Sequence, residues 1–143
     1  MGGPLVNDTN ISKDPGLRLL IERFPRLFRG AQPAVWSHVP AGWTAIVESL
    51  FNGIDTLLSD EQAKWFRVEQ VKEKFGTLRV YVSFNRIDAA GVNPSPTTLR
   101  SLVDAAVAAS EVTCYVCGAP GEMRKLGAWV TVRCDAHANR ELE

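Results

Sequence analysis

The chain has 143 residues, 45% of them apolar and 22% charged, which is the size and composition of one folded domain. Sixteen Lys and Arg balance sixteen Asp and Glu, which excludes an overall positive field of the kind that draws a protein onto phosphate backbones or anionic membranes. No apolar run approaches the roughly 20 residues that span a bilayer, and Met1-Gly2-Gly3-Pro4 is not the start of a secretory signal, so a cytoplasmic protein is expected.

Met1 to Asp14 is polar, rich in Gly, Asn, Asp and Ser, and reads as a flexible arm over 1–14 that precedes a single domain over 15–143. A short helix is predicted from Pro15, with Asp14 as its cap, Pro15 in its first turn and Leu17, Leu20, Ile21 and Phe24 at helical spacing. Pro25 stops it. Arg26 to Ala41 reads as an irregular connection. A stronger helix spans about 42–58 on a stripe of Trp43, Ile46, Val47, Leu50, Ile54, Leu57 and Leu58, and Ser59-Asp60-Glu61 begins a further turn.

The period then changes. Phe66, Val68 and Gln70 alternate with Arg67, Glu69 and Val71, and Leu78 to Phe84 alternates again after Lys74-Phe75-Gly76, which predicts an antiparallel hairpin around a Gly-containing turn. Asn85 to Pro96 reads as a loop. Leu99, Leu102, Val103, Ala106 and Val107 carry a third helix to about Ser110.

The C-terminal part holds all three cysteines and one of the two histidines. Cys114 and Cys117 form one close pair, sixteen residues follow, and Cys134 and His137 form a second pair with the same spacing. Two residues between ligands let one tight turn aim both at a single ion, and Gly118 permits the backbone angles of such a knuckle. Four nitrogen and sulfur ligands complete a tetrahedron with no position for water, so one structural Zn2+ is expected, within a module over 112–143. Met123 to Arg133 is predicted as a hairpin about Gly127, and Asp135 to Leu142 as the start of a short helix. Knuckle, hairpin and helix-borne ligands is the order of a treble-clef finger, and the separation also suits a zinc ribbon. The module is expected to tuck Trp129 and its hairpin against the third helix. The fold class is therefore α+β, a hairpin packed by the second and third helices and closed by the zinc module.

Other residues have two readings. Lys72, Lys74, Phe75 and Arg79 surround the first hairpin's turn and form a candidate partner-binding set, with Trp129 as a further anchor; the structural alternative is a solvated tip with Phe75 folded back onto the core. Arg124, Lys125 and Arg133 add charge to the zinc hairpin, and Arg18, Arg23, Arg26 and Arg29 form a basic stretch facing an acidic surface or solvent. Glu48 and Asp55 read as solvent-exposed charges, and His38 as an ordinary loop histidine without a partner. No nucleophile with a base and no phosphate-cradling glycines are found, so the protein is expected not to be an enzyme.

Phe24-Pro25-Arg26-Leu27-Phe28, Gly42-Trp43, Val71 to Arg79, Cys114-x-x-Cys117-Gly118-Ala119-Pro120-Gly121, Trp129 and Cys134-Asp135-x-His137-Ala138 together resemble small uncharacterised zinc-binding proteins of bacteriophages and prophages. The resemblance implies a phage or mobile-element setting in a bacterial host and no particular chemistry. Balanced charge and surplus aromatics favour a protein partner, for instance in host machinery or defence. Nucleic-acid binding through the first hairpin's tip and the zinc hairpin is the alternative.

Overall fold

The computed structural model describes residues 14–28, 37–84 and 96–138. Most of the expected N-terminal arm, the expected loop up to Ser95, Arg29 and Trp36 lie outside the described residues. The fold is α+β, with helices α1 (Pro15–Arg23), α2 (Thr44–Leu57) and α4 (Pro96–Ser110), a single helical turn α3 (Asp60–Ala63), and two antiparallel hairpins. The first pairs β1 (Phe66–Lys74) with β2 (Thr77–Phe84), and the second pairs β3 (Glu122–Leu126) with β4 (Trp129–Arg133).

Asp14 starts α1 as expected, its Oδ2 accepting from the Leu17 N–H at 2.9 Å. The helix ends at Arg23 before Pro25, which opens a short 3-10 turn over Pro25–Leu27. Leu17, Leu20, Phe24, Leu27 and Phe28 are buried by this corner. A 3-10 turn over Ala41–Trp43 leads into α2, whose buried face is Val47, Leu50, Phe51 and Ile54. Phe51 anchors the aromatic centre of the core, with edge-on contacts to Phe24 at 6.2 Å and Phe28 at 5.7 Å between ring centroids. Each buried phenylalanine contributes about 1.5–3 kcal/mol by leaving water. Ser59 and Gln62 close a reciprocal capping box at α3.

The first hairpin departs from simple alternation at one place. A bulge between Val68 and Gln70 gives Glu69 no cross-strand partner, so Val71 rejoins the inward face with Phe66 and Val68. The bulged Glu69 is used: Ser83 Oγ donates to it at 2.5 Å and Arg67 pairs with it at 3.2 Å, and the Ser83 bond, aided by Arg67 against partial desolvation, holds its pKa below the ordinary value. Both sheet edges are covered at a point. Ser37 Oγ accepts from the Val71 N–H and the His38 N–H donates to Val71 O on the β1 side, while Ser110 Oγ accepts from the Leu78 N–H on the β2 side. Helix α4 lies on β2, and α2 packs chiefly against α4, so the second helix supports the sheet at one remove and not as a direct layer.

Two of the N-terminal arginines, Arg23 and Arg26, serve the fold. Arg23 pairs with Glu48; Arg26 pairs with Asp55 at 3.5 Å and donates to the Leu58 and Ser59 carbonyls at the end of α2. Glu48 and Asp55, expected as free surface charges, are their partners. His38 likewise has one: its Nδ1 lies 2.6 Å from Asp14 Oδ1.

Candidate metal centre

Cys114, Cys117, Cys134 and His137 converge, with one ligand atom from each lying within 4.8 Å of the others. Cys117 Sγ and Cys134 Sγ are 3.7 Å apart, Cys114 Sγ and His137 Nδ1 3.7 Å, and Cys134 Sγ and His137 Nδ1 3.2 Å. A tetrahedral ion bound at ~2.3 Å to sulfur and ~2.0 Å to nitrogen sets sulfur–sulfur edges at about 3.8 Å and sulfur–nitrogen edges at about 3.5 Å. These three edges lie near those values, and the four side chains could hold a metal ion of that size.

The backbone makes this convergence. The Cys114 N–H donates to Ala119 O at 2.7 Å and the Gly118 N–H to Cys114 O at 2.9 Å, which closes the knuckle. Gly118 sits at φ 83°, a conformation only glycine adopts without strain. The Tyr115 N–H donates to Val132 O at 2.8 Å, tying the knuckle to β4, and the second ligand pair leaves β4 on a 3-10 turn over Asp135–His137 with the His137 N–H on Cys134 O. Within the described residues this turn replaces the start of the helix expected from Asp135.

The knuckle is seated on the start of α2. A Cβ on Gly42 would lie 1.9 Å from Cys114 O, so only glycine allows this backbone contact, and the Gly42 N–H donates to Tyr115 O at 2.9 Å. Beside it Trp43 Nε1 donates to Thr113 O at 2.9 Å, and the Trp43 and Tyr115 rings meet edge-on at 5.8 Å. Burial pushes the Tyr115 hydroxyl pKa upward, the Glu73 charge adds to this, and Arg133 opposes it.

Cys114 is fully buried, Cys117 exposed and Cys134 between them. Burial works to raise the Cys114 pKa, but the Cys134, Cys117 and Val116 backbone N–H groups and the Cys117 side chain outweigh it and hold the thiol at about 6. Cys117 moves upward: the Ala119 N–H favours its thiolate, while desolvation, the Cys134 and Cys114 thiols and the Cys114 charge prevail against it. Such a site gives up its first proton readily, and a divalent ion favours the remaining thiolates.

Comparison with protein-family models, curated proteins and solved structures returns no match. The resemblance to phage proteins rests on its motifs alone, and the chemistry rests on the site itself.

The sequence did not mark the charged groups that surround these ligands. Arg133, expected as surface charge, is buried against the Tyr115 ring with its guanidinium 5.9 Å from the centroid, and Nη1 donates to His137 O at 3.4 Å. Arg124 is bound to Asp135 at 2.8 Å and donates to Arg133 O. The β3–β4 hairpin thus carries little free positive charge. Trp129, expected against the third helix, stands 65% exposed at the tip of its hairpin. Of the other tryptophans, Trp43 is core and Trp65 is partly buried. Lys74, Phe75 and Arg79 are exposed and Lys72 half-buried; Phe75 projects from its turn at 67% exposure and is not folded onto the core.

Proposed function

We propose that this is a non-enzymatic protein whose C-terminal module is a structural zinc site and which acts by binding a partner protein. The convergence of three cysteines and one histidine within 4.8 Å of one another, with three edges near tetrahedral values, carries the first half of this reading. Three sulfurs and one nitrogen suit zinc better than a hard cation, and four protein ligands leave no coordination position for a reacting water. The order of parts, with a Cys-x-x-Cys knuckle, a hairpin and then ligands on a helical turn, supports a treble-clef module over a ribbon with a second knuckle.

The second half rests on the β3–β4 hairpin. Strand alternation puts Trp129, Leu126 and Arg124 on one side and Met123, Val130 and Val132 on the other. Val130 and Met123 meet the Gly76 turn of the first hairpin, which leaves Trp129 on the side facing away from it. An exposed tryptophan on a rigid, metal-held tip is suited to anchor a protein interface. The motif resemblance supports a bacterial host cytoplasm and a phage or mobile-element role, such as modulation of host machinery or defence.

Two measurements test the halves separately. Freshly purified protein should contain about one zinc per chain, and a content near zero with no response to chelator removes the site. Tagged protein should retain a specific host protein that Trp129→Ala releases without loss of metal; equal retention by the variant removes Trp129 as the anchor.

A further inference from the structure

The outer face of the first hairpin carries a charge arrangement that the fold does not use. Lys72 and Arg79 are directly paired across β1 and β2, and Lys74 pairs with Thr77 two residues nearer the turn on the same face. Cross-strand partners stand about 5 Å apart at Cβ, where like charges destabilise the pair. Among the described residues none of the three cations has an acidic partner, although Arg23, Arg26, Arg67, Arg100 and Arg124 all have one. Glu73, the nearest acid in sequence, belongs to the opposite face, where its carboxylate accepts from the Gly76 N–H at 2.6 Å.

Exposed aromatic rings flank these cations. Tyr81, 48% exposed, follows Arg79 on the same face. At the other end, Phe75 occupies a turn position with φ 54°, which a bulky residue adopts at a cost in strain, and its ring is exposed beneath the Lys74 ammonium at 5.6 Å. Neither burial nor backbone preference accounts for a phenylalanine there. Beside Tyr81, a groove of about 570 Å3 between β2 and α4 is lined by Val80, Val82, Phe84, Leu99 and Val103.

We propose that this face binds single-stranded nucleic acid, with Lys72, Lys74 and Arg79 on phosphates and the Phe75 and Tyr81 rings stacked on bases. A polyanion relieves the Lys72–Arg79 repulsion, and flanking rings at both ends suit unpaired bases. An acidic peptide would use the cations and leave both rings idle. The surface is separate from the Trp129 side of the zinc hairpin, so the inference stands independently of the partner-protein reading.

The test is fluorescence anisotropy of the full-length, metal-loaded chain with a labelled 12-nucleotide single strand, as RNA and as DNA, at rising salt. Binding at low salt should weaken with a log–log slope of about −2, the value for three phosphate contacts on a single strand. Arg79→Glu replaces a like-charge pair with an opposite-charge pair, so it should raise the melting temperature while weakening binding at least ~10-fold. Phe75→Ala and Tyr81→Ala should each weaken binding roughly 5- to 100-fold, and Lys64→Gln, away from this face, should leave it unchanged. The proposal is overturned by no binding at low salt, by full binding in the Arg79→Glu protein, by a neutral result for both ring variants, or by equal competition from a polyglutamate of matched charge.

Discussion

The two hairpins are held by different means. The first is longer, and its inner face buries Phe66, Val68, Val71 and Leu78 in the main core. The second buries Thr131, Val132 and Arg133 of β4, while Glu122, Met123 and Lys125 of β3 and Trp129 at its tip stay exposed. It lacks the apolar surface that could fix it alone. Its place is set by the ligand cluster and by the seat of the knuckle on Gly42 and Trp43, with Trp43 Nε1 donating to Thr113 O. On the proposed reading, a small hairpin with little core is secured by metal ligation and close backbone contact, and a larger one by burial.

The comparison is broken most directly by removing the metal. Chelation, or Cys117→Ser at the exposed ligand, should give the largest loss of stability, since structural zinc supplies on the order of 10 kcal/mol in isolated fingers. Amide exchange should show protection lost first in β3 and β4 and retained longest in β1 and β2; simultaneous loss in both hairpins would abolish the distinction. Phe51→Ala makes the converse cut, with an expected cost of about 3–5 kcal/mol in chemical denaturation and little change in metal content.

Gly42→Ala sharpens the account by attacking the seam between the two parts. Its Cβ would lie 1.9 Å from Cys114 O, so the knuckle must withdraw, with an expected loss of about 1–3 kcal/mol and weaker zinc retention against a competing chelator. Unchanged retention would show that the seat does not support the site.

The smallest effect is the pH dependence of the reduced, metal-free chain, and it is present only where the knuckle keeps its seat on Gly42 without the metal. Cys114 is held at about 6, below the ordinary 9.0 of a cysteine, so its contribution is fully present above pH 9 and is lost as pH falls through 6. The urea midpoint should therefore rise between these limits, and rise less in Cys114→Ala. Cys117, shifted upward, acts with the opposite sign and only above its ordinary range.

Elements with a local period were legible in the sequence. The α1 cap at Asp14, the stop at Pro25, the turn at Phe75-Gly76, the extent of α4 and the hairpin about Gly127 all appear where spacing and turn chemistry put them. Phe51 is legible by the same rule, since positions 47, 50, 51 and 54 recur at helical spacing and form the buried face of α2. The four ligands were legible because paired short spacings survive any intervening fold.

The long-range pairings were not. Arg26 with Asp55, His38 with Asp14, Arg133 beneath Tyr115 and Gly42 against Cys114 join residues far apart in the chain, and no local period records them. The Glu69 bulge was hidden for another reason. Strict alternation assigns Val71 to the wrong face, and only the unpaired Glu69, held by Ser83 and Arg67, resets it.

Cobalt substitution tests the central claim most directly. One equivalent of Co2+ should bind the reduced, metal-free chain and give the intense visible bands of a tetrahedral three-thiolate, one-imidazole site, with zinc displacing it one for one. A weak octahedral spectrum, or saturation at a ratio other than one, would contradict a closed four-ligand centre.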